Sequence, residues 1–149
     1  MTERDTCLRN NTPTIEVTGL KKYFSIPSGR LFAPSLCIKA VDEVSLRVNK
    51  GEIVGLVGES GSGKTTLARV ILNLTKPTEG TVLFDGVDVS RLHGLEMKAF
   101  RRNIAAVFQD PASNLNPRQT VEGSIMRPML LHGVPKKIAC EKARHAMEL

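Results

Sequence analysis

One stretch of this sequence limits the fold more than any other. Residues 58–65 read Gly-Glu-Ser-Gly-Ser-Gly-Lys-Thr, matching the spacing G-x-x-x-x-G-K-[ST] of a phosphate-binding P-loop. The run ahead of it, Ile53-Val54-Gly55-Leu56-Val57, is short and continuously apolar, as in a strand buried on both faces of a parallel sheet. Behind it, residues 64–74 set Leu67, Val70, Ile71 and Leu74 at helical spacing on one face. Strand, glycine loop and helix in that order is the context the motif requires. Gly58, Gly61 and Gly63 can take backbone conformations closed to other residues. Successive N–H groups can then converge on one anion, and the helix N-terminus adds its positive dipole end. Lys64 supplies a point charge for β- and γ-phosphates, and Thr65 a hydroxyl ligand for Mg2+.

The rest of the chain reads as follows. Thr14-Ile15-Glu16-Val17-Thr18 alternates with period two, Gly19 interrupts it, and residues 20–24 continue extended. Residues 25–37, with Pro27, Gly29 and Pro34, read as a loop or hairpin excursion. In residues 41–48, Val44, Leu46 and Val48 point one way and Ser45 and Arg47 the other, ahead of an Asn49-Lys50-Gly51 turn. Pro77 and Gly80 end the helix after the loop. Residues 81–84 and 87–89 flank Asp85-Gly86, a type I′ hairpin signal. Residues 95–102 predict a basic helix, 104–108 a second buried strand, and 109–118 a polar loop. Thr120 can cap a helix starting at Val121, and Pro135 can open another that is still running at Leu149. The pattern favours an α/β fold, and 149 residues leave room for one domain or part of one.

Composition removes several classes. Hydrophobic residues are 41% and charged residues 24%, ordinary globular usage that argues against a disordered or fibrous chain. Aromatics are only 4%, with one Tyr and no Trp, so the core is aliphatic and a base-stacking nucleic-acid binder is disfavoured. The net charge of +6 is concentrated in residues 97–149, which hold nine Lys/Arg against four Asp/Glu. Such an excess can mark a nucleic-acid or membrane-proximal face, but a solvated surface is the preferred reading and no nucleic-acid partner is expected. Cys7, Cys37 and Cys140 form no CxxC pair, which fits reduced thiols better than a disulfide framework or a zinc site. There is no apolar run of membrane-spanning length, and residues 1–11 lack a signal-peptide core, so a cytoplasmic location is expected.

Two further segments narrow the reading: Leu20-Lys21-Lys22-Tyr23-Phe24, and Val107-Phe108-Gln109-Asp110-Pro111 with Ser113-Asn114-Leu115-Asn116-Pro117-Arg118. With the loop at 58–66, they resemble the ATP-binding subunits of ABC transporters, most closely the oligopeptide and dipeptide importer group. Ser28-Gly29-Arg30-Leu31-Phe32 and Lys39-Ala40-Val41-Asp42 strengthen the likeness, which runs from about residue 14 to about residue 133. The resemblance implies a P-loop NTPase of the ABC type. It would have an antiparallel β subdomain, part of a parallel core sheet and the start of a helical subdomain. A polar tail over 1–13 would precede an incomplete ATP-binding domain over 14–149, with a glutamine loop at 108–118. The ligands it implies are ATP and Mg2+. Tyr23 would stack on adenine, Glu59, Ser60 and Ser62 would turn their side chains away from the phosphates or contribute only N–H groups, and Thr66 would complete the nucleotide-binding stretch 58–66. Lys64 and Gln109 would act in catalysis, and Thr65 and Gln109 would reach the metal. The partners implied are membrane permease subunits and a second ATP-binding subunit, with the protein peripheral on the cytoplasmic face of the plasma membrane. The cargo would be oligopeptides or dipeptides, or alternatively nickel or another small solute. His93, His132 and His145 lie outside every matched motif.

The family's remaining chemistry is not found in residues 119–149. There is no Gly-Gly pair for the signature sequence, Asp110 is the last aspartate, and Glu122, Glu141 and Glu148 do not follow an apolar strand. A switch histidine is missing as well. The expectation is an N-terminal portion whose hydrolysis is in doubt, with a non-hydrolysing nucleotide-binding fragment as the alternative.

Overall fold

The computed structural model describes residues 12–26, 36–110 and 115–148. Residues 1–11 of the expected tail, the stretch Ser28 to Phe32, and Pro111, Ser113 and Asn114 lie outside the described residues. The chain divides into two compact units, Met1–Met97 and Lys98–Leu149.

The first unit is built on four antiparallel strands: β1 (Ile15–Ile26), β2 (Leu36–Val48), β3 (Glu79–Phe84) and β4 (Val87–Asp88), in the order β2-β1-β3-β4. Helix α1 (Lys64–Ile71) packs on β1 and β2, with Leu67 and Val70 buried. The period-two reading of 41–48 holds, since Val44, Leu46 and Val48 are half-buried and Ser45 and Arg47 exposed. Val17 and Leu20 of β1 are both inside, at 2% and 0% exposure. An odd spacing would put them on opposite faces of a regular strand. Gly19 resolves this. Its φ of +53° opens a bulge that shifts the register against both β2 and β3, and its N–H donates to Ser45 Oγ at 2.8 Å. Ser25 pairs with Cys37 and Ile26 with Leu36, so the excursion after β1 is flanked by a hairpin ladder.

Asp85 and Gly86 both have positive φ, +48° and +79°, the backbone a type I′ turn demands, and Phe84 pairs with Val87 across it. Val89, expected in the strand, instead opens a 3-10 turn (Val89–Arg91), because the Asp88 carboxylate accepts the N–H of Ser90 at 2.9 Å.

Helix α1 stops at Ile71, three residues short of the expected end. Asn73 takes φ +52°, the Asn73 N–H donates to Val70 O, and the Leu74 N–H donates to Arg69 O. These two bonds close a Schellman end before Leu74, which stays exposed. The basic helix α2 runs from Gly94 to Asn103.

Neither apolar run expected as a buried strand joins a sheet among the described residues. Ile53 and Val57 are 98% and 95% exposed, and Val107 and Phe108 are exposed as well. An apolar run becomes a strand only when a neighbour takes up its N–H and C=O groups. The order β2-β1-β3-β4 includes no such neighbour for 53–57 or 104–108.

In the second unit, α3 (Val121–Leu131) and α4 (Lys136–Met147) pair around Met126, Ala139 and Ala143, with Ile125, Met129, Val134 and Cys140 against them. Thr120 caps α3 as expected, its hydroxyl accepting the Gly123 N–H at 3.1 Å. Pro135 is the N-cap of α4, and that helix closes at Met147 with Glu148 as C-cap.

Candidate nucleotide site

The loop at 58–63 is held from below by β2. Gly63 is the N-cap of α1 with φ +91°, and a Cβ placed there would sit 2.0 Å from Ala40 O. Only glycine permits that approach. The Leu67 N–H donates to Gly63 O at 2.9 Å, which starts the helix, and no side chain caps it. Its first-turn N–H groups are therefore left for solvent or an anion. Gly61 also has positive φ, +81°, and the Ser62 N–H donates to Glu59 O at 3.2 Å.

Lys64 folds back over the loop. Its ammonium donates to Gly58 O at 2.7 Å, Glu59 O at 2.6 Å and Ser62 Oγ at 3.1 Å. Three donors meet three acceptors, so the charge is fixed at the mouth of the loop. Ser62 thus takes a side-chain role that sequence spacing does not reveal. Thr65 is exposed at the head of α1 and Thr66 half-buried behind it. A cavity of about 200 Å³ lies beneath, with Ala40, Val41, Val44, Leu56, Val57 and Leu67 as its aliphatic wall and Lys64 at its rim. It falls below the ~300–1,000 Å³ usual for small-ligand pockets, so it takes part of a ligand at most.

Why β2 can carry this site follows from its register. Leu20 pairs with Val44 and Tyr23 with Lys39, so three steps along β1 correspond to five along β2. The two extra residues fall in 40–43, where Glu43 has φ +54°. Lys21 clamps this stretch, with Nζ 3.2 Å from Glu43 Oε1 and 3.1 Å from Glu79 Oε2. Hydrogen bonds to Glu79 first and Glu43 second hold its pKa well above the ordinary lysine value.

The irregularity brings Lys39 and Asp42 to the same aromatic ring. The Tyr23 hydroxyl donates to Asp42 Oδ1, Lys39 Nζ donates to Asp42 Oδ2 at 3.3 Å, and Lys39 Nζ lies 5.3 Å from the Tyr23 ring centroid. The Tyr23 N–H donates to Thr78 Oγ1 at 2.9 Å. The hydrogen bond to Asp42 raises the phenol above its usual range, and the same bond lowers the carboxyl. Lys39 is raised, chiefly by its bond to Asp42.

The structure therefore brings Tyr23, Gly63 and Lys64 onto one framework, the span 39–42 of β2. Gln109 belongs to the other unit, where it is exposed on a stretch without regular structure. Among the described residues no cluster of three or more His, Cys, Asp or Glu could hold a metal. Nor is any described helix long and apolar enough to cross a membrane.

The ABC transporter family pattern matches residues 41–149. The chain belongs to that family. Over 126 residues it is 45% identical to the oligopeptide transport ATP-binding protein AppF of Bacillus subtilis, a match covering 84% of this chain and 38% of AppF. It is 40% identical over 139 residues to the glutathione import ATP-binding protein GsiA of Pectobacterium atrosepticum, covering 93% and 22%. The ABC transporter cassette MJ0796, solved as a dimer, superposes with a TM-score of 0.74 at 28% identity over 90% of this chain and 56% of the cassette. A dimeric structure of MJ0796 in a post-hydrolysis state, bound to ADP and Pi, matches equally well. The chain spans less than half the length of these curated relatives. The ABC-type α/β fold expected from the motifs is the fold of these neighbours, and the loop at 58–66 lies inside the matched stretch.

Proposed function

We propose that this chain is the ATP-binding portion of an ABC importer subunit that binds MgATP at the 58–66 loop and serves peptide uptake. The loop geometry carries the reading: Gly63 pressed against Ala40 O, an uncapped helix N-terminus, and Lys64 held at the mouth. A triphosphate would take the converging N–H groups and the ammonium. Each bond to a charged oxygen is worth about 1.5–3 kcal/mol. Tyr23 would receive the adenine ring. Thr65 would offer its hydroxyl to Mg2+, whose chemistry there would be to neutralise phosphate charge. Gln109 is an acceptor and donor in one side chain, suited to orienting a water near that metal.

The names of AppF and GsiA support peptide-like cargo, and the dimeric cassette supports pairing with a second ATP-binding subunit. Permease subunits would anchor the protein at the cytoplasmic face of the membrane. The alternative reading is a nucleotide-binding fragment that does not hydrolyse, and phosphate release that Lys64→Ala abolishes would exclude it.

Titration calorimetry tests the core of the proposal. Wild-type chain should bind MgATP, and Lys64→Ala should bind at least about tenfold more weakly, the loss of one charge-assisted contact. Equal affinity of the two forms would refute the phosphate assignment.

A further inference from the structure

Tyr23 is held in a way that nothing in the family reading requires. The β1–β2 ladder continues past the end of β3, whose last partner on β1 is Lys21. Among the described residues Tyr23 therefore sits on a two-stranded ribbon, with no third strand paired beside it. A phenol in that position would be free to swing about two side-chain torsions. Asp42 prevents this, because its Oδ1 accepts the phenol hydroxyl while its Oδ2 is pinned by Lys39. In a regular strand Lys39 and Asp42 would face opposite sides. They share one ring only because β2 carries extra residues between them. Lys22 lies 4.9 Å from the Phe24 ring with no carboxylate holding it among the described residues, so a cation beside an aromatic does not by itself create this lock.

We propose that Asp42 is a positioning residue for nucleotide binding: by fixing the Tyr23 ring it presets the surface on which the base stacks. The proposal rests on the reading of Tyr23 as the base platform. Base–aromatic stacking is worth about 1–3 kcal/mol per base, and a ring already ordered in the free protein keeps more of it. Asp42 acts on the base and not on the phosphates, which belong to the loop and Lys64.

The 149-residue chain offers its own reporter. Tyr23 is the only tyrosine and there is no tryptophan, so near-ultraviolet absorption and intrinsic fluorescence read this site directly. In wild type the phenol should titrate above its ordinary value of 10.0, and Asp42→Asn should bring it down. Asp42→Asn and Tyr23→Phe should each weaken MgATP about three- to tenfold, the scale of freezing one side chain on binding. Both should leave inorganic tripolyphosphate unchanged, and the double variant should be no weaker than either single. If Asp42→Asn binds ATP like wild type, or loses ATP and tripolyphosphate equally, or if the two losses multiply, the proposal falls. Tyr23→Ala separates the failures. When it weakens ATP alone while Asp42→Asn does nothing, the platform stands and only the positioning role is lost. When it changes nothing, the platform reading fails and the proposal with it. A wild-type phenol titrating at or below 10.0 would overturn the lock without any variant.

Discussion

A methyl group at position 63 would meet the Ala40 carbonyl, whereas one at position 61 would meet nothing within 4 Å. Both glycines have positive φ, so both substitutions incur the left-handed penalty of about 1–2 kcal/mol. Gly63→Ala must also push the loop off β2, adding an overpacking cost of about 1–3 kcal/mol. Chemical denaturation should find Gly63→Ala the more destabilised of the pair, and calorimetry should find it the weaker MgATP binder. Comparable values for both would mean that the Ala40 contact does not set the loop. Gly63 was legible from motif spacing alone. Ala40 was not, because a bulge leaves no mark in residue type and is a property of how two strands are counted against each other. The same blindness hid the meeting of Asp42 with Tyr23.

Elements that depend on their own residues were readable. The Asp85-Gly86 turn, the Thr120 cap and the alternation of β2 came from local chemistry. The runs at 53–57 and 104–108 pair with nothing in the sheet, because a strand is made by its neighbour, which periodicity cannot supply. The α3–α4 hairpin holds a second interaction that only tertiary packing creates: Cys140 Sγ donates to Glu122 Oε1 at 3.0 Å, with Arg144 Nε 3.5 Å from the same oxygen. The thiol bond, and then Arg144, keep the Glu122 carboxyl below its usual 4.5, while the same bond raises the thiol above 9.0. A carboxyl depressed in the folded state stabilises fully above its unfolded value. Its contribution to the hairpin should therefore persist above pH 4.5 and fade as pH falls through the lowered value. The raised thiol should alkylate slowly near pH 8, and Glu122→Gln, which removes the charge, should speed modification of Cys140 severalfold. Peptide mass spectrometry after timed iodoacetamide treatment checks this, and an unchanged rate would remove the hydrogen bond from the account.

At the scale of the whole molecule the exposed apolar surface dominates behaviour. Ile53 and Val57 in the first unit, and Val107 and Leu115 in the second, each present large aliphatic groups to solvent, and exposed apolar groups promote association. The chain should sediment with a mass that rises with concentration and should bind hydrophobic dyes. Ile53→Lys with Val57→Lys should lower both signals with little change in melting temperature. Sedimentation unaffected by that pair would place the sticky surface elsewhere. The hold of Lys64 on Gly58, Glu59 and Ser62 carries a consequence for every such titration. The ammonium already has three acceptors, so nucleotide capture would be an exchange in which these internal bonds give way as new ones form. The heat released on binding then reports a difference between two satisfied states. Removing the lysine deletes a term from both sides, and the measured loss will understate the full strength of the contact it makes with phosphate.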